Sequence, residues 1–310
     1  MLRNLLINLS KNDWMRRFVS EFGPARRAAA RFVAGETLDE AVTVVKELNR
    51  RGLKAILNLV GESVTSREEA RQAGQEVLAL LNRIAAEELA ATISVKPSHL
   101  GLAFGQDFYY ETMADIVQVA RRHNIVVEID IEDSPTVADT LAVYHRLLDL
   151  FPDDGVRQAV QAYLHRAPDD IAALIERGAN IRLVKGAYRE PVEIAIQGKG
   201  PITAATRSLI SAFFSPPARQ QGAYLALGSH DPALIDHLLA EAQVKKVPQT
   251  DFEIQMLYGV RRREQQRLAD LGYQVRVYVP FGRAWYPYFM RRLAERPANL
   301  FFILRAFLQR

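Results

Sequence analysis

From residue 55 onward, short apolar runs alternate with longer segments in which apolar positions recur at helical spacing. The runs occupy residues 55–60, 91–96, 125–130, 156–161, 180–185, 223–227, 252–256 and 274–279. The intervening patterns predict helices over 66–88, 107–123, from 134, 169–178, 206–214, from 232, 262–271 and 286–296. Ser134-Pro135 opens a helix, and Asp231-Pro232 is a helix start in which a capping residue is followed by a proline whose missing N–H is not needed there. Eight strand–helix units spaced roughly 25–35 residues apart predict an α/β protein whose parallel sheet closes as a TIM-like (β/α)8 barrel. An open doubly wound sheet is the alternative, but it would want a glycine-rich phosphate turn after its first strand. Val60-Gly61-Glu62-Ser63 has a single glycine there.

The first fifty residues carry the helical period only. Helices are expected over 12–22 and 25–33, broken by Gly23-Pro24, and a third follows an N-cap at Thr37 and stops at Gly52. The chain thus divides into a helical arm, residues 1–51, and a barrel, residues 52–310. An apolar stretch at 300–304 would seal the barrel or a subunit interface.

Composition narrows the chemistry. The chain has 310 residues, 49% of them hydrophobic, enough for a large core. The net charge of +4 comes without a dense Lys/Arg run, so no nucleic-acid partner is expected. Cysteine is absent, which removes disulfides, thiolate nucleophiles and Cys-ligated metals and agrees with a cytoplasmic setting. The six histidines form no H-x-H or H-E-x-x-H, there is no G-x-S-x-G elbow, and no metal site is expected. No run is long enough to span a bilayer, and residues 1–9 are too short for a secretory leader.

In such barrels the chemistry sits at the C-terminal ends of the strands. Lys96, Asp130, Gln161, Lys185, Ser229-His230-Asp231 and Gln255 stand at or near those ends, with Arg182, Glu253, Arg276 and Tyr278 within strands. Any one of them reads equally as a helix cap or an internal ion pair; as a set they describe a pocket for anions. The last predicted helix adds Tyr288, Arg291, Arg292 and Glu295 on one face. Two guanidiniums suit a carboxylate, and a glutamate suits an amine, the two ends of an amino acid. A solvated helix face with internal ion pairs is the plain alternative. By strand alternation Arg182 points to the side of Val184, away from Leu183 and Lys185, and a guanidinium inside a barrel needs an anion.

Arg182-Leu183-Val184-Lys185-Gly186-Ala187-Tyr188, followed after the eighth strand by Tyr288-x-x-Arg291-Arg292-x-x-Glu295, resembles the proline dehydrogenase family. Lys96, Asp130-x-Glu132-Asp133-Ser134, Gln161-Ala162-Tyr163, Ser229-His230-Asp231, Phe252-Glu253-x-Gln255-x-Leu257-Tyr258-Gly259 and Tyr278-Val279-Pro280-x-Gly282 follow in the family's order. The resemblance runs from about residue 30 to the end, closest to the short monofunctional bacterial branch. It implies a distorted (β/α)8 barrel with the last helix over the active site, and FAD as cofactor. The implied reaction is oxidation of L-proline to Δ1-pyrroline-5-carboxylate, the first step of proline catabolism, with hydride passing from proline C5 to flavin N5 and electrons to a membrane quinone.

The resemblance further implies peripheral association with the inner membrane face and coupling to a pyrroline-5-carboxylate dehydrogenase. It assigns Asp130 and Arg182 to the catalytic centre. Lys96, Arg291, Arg292 and Glu295 would hold the polar ends of proline, and Ala187, Leu257, Tyr278 and Tyr288 its ring. Ile131, Gln161, Arg182, Val184, Lys185, Gly186, Ala187, Gly228, Ser229, His230 and Gln255 would contact FAD. Ile202-Thr203-Ala204-Ala205-Thr206 departs from the family pattern near the adenine. Two other readings stay open from the residues: a non-catalytic amino-acid-binding barrel, and a lyase using Lys96 as a Schiff base.

Overall fold

A computed structural model describes residues 30–61, 64–152 and 155–295, the last five by backbone alone. The expected helix over 12–22, most of that over 25–33 and the apolar 300–304 stretch lie outside these residues. The described chain opens with α1 (Leu38–Arg50), fixed at its start by a reciprocal capping box between Thr37 and Glu40. Eight strands follow: β1 (Lys54–Leu59), β2 (Ala91–Val95), β3 (Val127–Ile129), β4 (Val156–Gln161), β5 (Asn180–Val184), β6 (Tyr224–Gly228), β7 (Phe252–Leu257) and β8 (Val275–Phe281). All pair in parallel and in sequence order, and β8 closes on β1, with Ile56 opposite Tyr278.

The connecting helices are α2 (Arg67–Ala86), α3 (Gln106–Arg122), α4 (Ser134–Leu150), α5 (Ala167–Glu176), α6 (Lys199–Phe213), α7 (Pro216–Gln220), α8 (Pro232–Val244), α9 (Arg262–Asp270) and α10 (Trp285–Glu295). Ser66 and Asp231 cap α2 and α8 by accepting from backbone N–H groups, the side-chain roles their positions suggest. α6 begins at Lys199, earlier than the expected 206. Gly198, at φ +86°, turns the chain, and Pro201 falls in the first turn, where it costs no hydrogen bond. The same glycine and proline hide this turn from a periodicity reading. The short α7 and a 3-10 turn at Leu102–Phe104 are likewise not legible as periods.

Alternation along the strands separates two layers. Leu57, Ile93, Ile129, Leu183, Leu227, Ile254 and Val277 belong to one buried apolar cluster with the helix faces, including Val45, Leu81, Tyr144 and Leu234. The intervening strand positions point into the barrel. There Arg157 of β4 reaches Glu253 of β7, Gln255 of β7 reaches Glu128 of β3, and Tyr278 of β8 reaches Asp130 after β3. Side chains that meet across non-adjacent strands can do so only through the interior. Among the described residues no helix is long and apolar enough to cross a membrane.

Candidate active site

β2, β3, β5 and β8 converge on one carboxylate. Asp130 is buried and stands just beyond the end of β3. Its Oδ1 accepts from Ser94 Oγ at 2.6 Å and from Arg182 Nη2, and its Oδ2 accepts from Lys96 Nζ at 3.0 Å and Tyr278 Oη at 2.9 Å. Each donor is on an inward position of its own strand or directly after it, so the barrel frame sets the cluster.

Burial opposes ionisation of Asp130, but the charges of Lys96 and Arg182 and the donated hydrogen bonds outweigh it and hold the carboxyl well below the usual range. Burial likewise opposes the charge on Arg182, and Asp130 and Glu128 outweigh it in turn, raising its pKa. Burial and the Asp130 charge push the Tyr278 hydroxyl well above its ordinary value, so it stays a donor. The guanidinium of Arg182 also lies 5.7 Å from the Tyr278 ring centroid, within cation–π range.

On the neighbouring side of the mouth, Gln161 at the end of β4 bridges two loops. Its amide donates to the Glu132 carbonyl at 2.9 Å and its Oε1 accepts from the Ala187 N–H at 3.3 Å. Glu132 in turn accepts from the Ser98 N–H and hydroxyl, both at 2.7 Å. Ile131, partly buried, packs against the apolar cluster. Gly186 has φ +122°, and a Cβ there would stand 2.3 Å from the Tyr163 ring, so no other residue fits this turn. A Cβ on Gly228 would stand 2.8 Å from Val184, packing β5 and β6 closely at their ends.

Lys185 leaves the interior and pairs with Asp231 at 2.5 Å and Thr203 at 3.1 Å. Thr203 thus ties the divergent 202–206 segment, part of α6, to the end of β5. Ser229 donates its N–H to the Gln255 carbonyl, and its hydroxyl accepts from the Asp231 N–H, both at 3.1 Å. His230 Nε2 accepts from the Leu257 N–H at 2.8 Å, which fixes the end of β7.

α10 follows the C-terminal end of β8. Trp285 donates to Glu36 at 2.9 Å, Phe289 meets Phe32, and buried Tyr288 is close enough to Tyr278 to act on its ionisation. Arg291, Arg292 and Glu295 are on this helix; their side chains lie outside the described residues.

Lys96, Asp130, Arg182 and Tyr278 are therefore one cluster, while Lys185, Ser229 and His230 form a separate rim with their own partners. The sequence reading passed over Ser94, Glu128 and Arg157. Polar residues spaced two apart inside otherwise apolar strands were the available signal: Thr92-x-Ser94-x-Lys96 and Glu128-x-Asp130. The mouth offers cations, backbone and side-chain N–H donors and one closely turned loop. In the interior, Gln255 Oε1 is buried without a protein partner, an acceptor that an N–H of a bound ring would satisfy.

The family model described as Proline dehydrogenase matches residues 41–305. The chain is 38% identical over 313 residues to Proline dehydrogenase 1 of Bacillus subtilis (strain 168), covering 100% of both. It is 34% identical over 284 residues to Proline dehydrogenase of Deinococcus radiodurans, covering 91% of this chain and 90% of that one. Among solved structures, proline utilization A from Bdellovibrio bacteriovorus, inactivated by N-propargylglycine, superposes with a TM-score of 0.83 at 22% identity. That match covers 95% of this chain and 36% of that one and supports the barrel fold; the chain spans about a third of the length of that larger protein.

Proposed function

The chain belongs to the proline dehydrogenase family, whose members are flavin-dependent enzymes, and from that premise we propose that it binds FAD and oxidises L-proline to Δ1-pyrroline-5-carboxylate. The observation that carries the reading is the Asp130 cluster: one buried carboxylate facing two cations at the strand-end mouth. That arrangement leaves positive charge where an anionic substrate enters and where negative charge arrives during the reaction.

The residues fit a flavin. The N–H donors of the mouth, the cation of Arg182, the glycine turn at Gly186 and the unpartnered Gln255 acceptor suit its polar ring edge. Gln161, Arg182, Val184, Lys185, Gly186 and Ala187 would hold the ring and ribityl chain, with Ile131 and Gln255 beside them. Gly228, Ser229 and His230 would meet the remainder. When bound, FAD supplies the acceptor of the proline C5 hydride at its N5.

The protein's part is to bind and orient. Arg291 and Arg292, with Lys96, would grip the proline carboxylate, and Glu295 would face the amine. Tyr278, Tyr288, Ala187 and Leu257 would enclose the ring, fixing C5 and excluding water. Asp130 keeps Arg182, Lys96 and Tyr278 in place, and its low pKa keeps it an anion as substrate binds. Residues 52–310 would be the catalytic unit, and residues 1–51 an arm whose α1 packs on the barrel through Val45 and Leu48. Electrons would pass to a membrane quinone from a cytoplasmic protein at the inner membrane face, and the product to a pyrroline-5-carboxylate dehydrogenase.

Anaerobic addition of L-proline to the purified yellow protein tests the reading. The flavin band at about 450 nm should bleach in full. Flavin-replete protein that binds proline without bleaching would instead be an amino-acid-binding barrel.

A further inference from the structure

Beneath the Asp130 cluster the barrel interior holds a second charged layer. Arg276 donates to both oxygens of Glu253, at 2.9 and 3.0 Å, and Arg157 donates to Glu253 at 2.5 Å and to Glu128 at 3.1 Å. Glu128 links this layer to the one above. It is fully buried, and three donors hold it: Thr92 Oγ1 at 2.9 Å, Arg157 Nη1 at 3.1 Å and Gln255 Nε2 at 2.8 Å. Its Oε2 stands 3.7 Å from Arg182 Nη1. We propose that Glu128 is a positioning residue for the reaction, setting from below how much positive charge Arg182 presents to the bound flavin.

The proposal rests on the flavin-dependent reading above and goes beyond it to a residue outside the mouth. Arg182 lies between two carboxylates. Asp130, above, is shared with Lys96, Tyr278 and Ser94. Glu128, below, is rigidly held and makes no hydrogen bond to Arg182, so it acts on Arg182 through charge. In this connected set the cations Lys96, Arg157, Arg182 and Arg276 face the carboxylates Glu128, Asp130 and Glu253, an excess of one positive charge. Neutralising Glu128 doubles the excess, in a water-poor interior where charge is weakly screened.

A purely structural Glu128 and a charge-setting one differ in sign. Transfer of hydride to the flavin brings negative charge, so a more positive surrounding favours the reduced form. Removing the positive charge in Arg182→Met should lower the potential; removing the negative charge in Glu128→Gln should raise it. Loss of packing alone would not produce opposite shifts.

The test is a reductive titration of FAD-loaded wild-type and Glu128→Gln protein against a reference dye, without proline. At least a tenfold shift of the equilibrium toward the reduced form is expected, about 30 mV upward for a two-electron couple. An unchanged or lower potential in folded, flavin-loaded Glu128→Gln would overturn the proposal. Glu128→Asp keeps an anion but draws it back from Arg182. It should shift the potential in the same direction by less than tenfold, and decides the matter if the glutamine variant does not fold; no rise there would overturn the proposal as well. A wild type that holds flavin but ignores proline would contradict the substrate reading alone, because the titration uses no proline.

Discussion

The same eight strands build two unlike regions. Outside the sheet, Leu57, Ile93, Leu183, Leu227 and Val277 meet helices in a largely apolar layer. Inside, Glu128, Arg157, Glu253 and Arg276 and then Asp130, Arg182 and Tyr278 stack in charged and polar layers. A barrel built for stability alone fills its interior with branched aliphatic side chains. Each buried ion instead has a desolvation cost that only a matched partner offsets. The outer layer is where the fold draws its stability, at ~25 cal/mol per Å² of apolar surface removed from water. The inner layer gives up some of that stability to hold charges at fixed places under the mouth.

That contrast is open to attack from either side. The largest loss should come from Arg157→Met, which takes a counterion from both Glu128 and Glu253. Roughly 3–5 kcal/mol of unfolding free energy should disappear in a urea titration. A loss below ~1 kcal/mol would show that the lower charges are not mutually dependent. Leu183→Ala, next to Arg182 on β5 but on the opposite face, should lose ~2–5 kcal/mol by cavity formation. The KM for proline and the flavin potential of its folded fraction should stay at wild-type values. A changed KM would mean that the two layers are not separable.

Acid gives a third comparison. Burial opposes ionisation of Glu253, but Arg157 and Arg276 outweigh it and lower its pKa from 4.5 to about 2. Because the folded pKa is depressed, the contribution is present in full above the unfolded pKa and is lost as pH falls from about 4.5 toward about 2. Stability measured across that window should fall by about 3 kcal/mol on this group's account. Asp130 acts in the same direction. Glu253→Gln should be less stable at neutral pH and show a shallower fall through the window; an unaltered slope would mean that Glu253 is not paired as described.

Much of this was legible in the sequence. Each predicted strand coincides with an observed one to within a residue or two at either end, because a buried parallel strand is a short apolar run bounded by turn residues. Alternation placed Arg182 inside the barrel and called for an anion, and Asp130 meets that need. What sequence could not supply was which inward residues face one another. Arg157 and Glu253 lie on β4 and β7, brought together by closure of the sheet and not by any local spacing. Glu128 was hidden for a simpler reason: it is one polar residue in an otherwise apolar run, with no motif of its own. The Arg291–Arg292–Glu295 face was legible from helical spacing, and the backbone there is helical through Glu295.

Arg182→Met decides whether the inner charges serve the reaction or only the fold. The variant leaves Asp130 with Lys96, Tyr278 and Ser94 as partners, so a folded, FAD-replete fraction should be recoverable. Stopped-flow reduction by L-proline under anaerobic conditions, with the flavin potential measured on the same sample, is the measurement. Slower reduction and a lower potential are predicted. Wild-type rate and potential in well-folded protein would reduce Arg182 to a structural partner of Asp130, with no part in the chemistry.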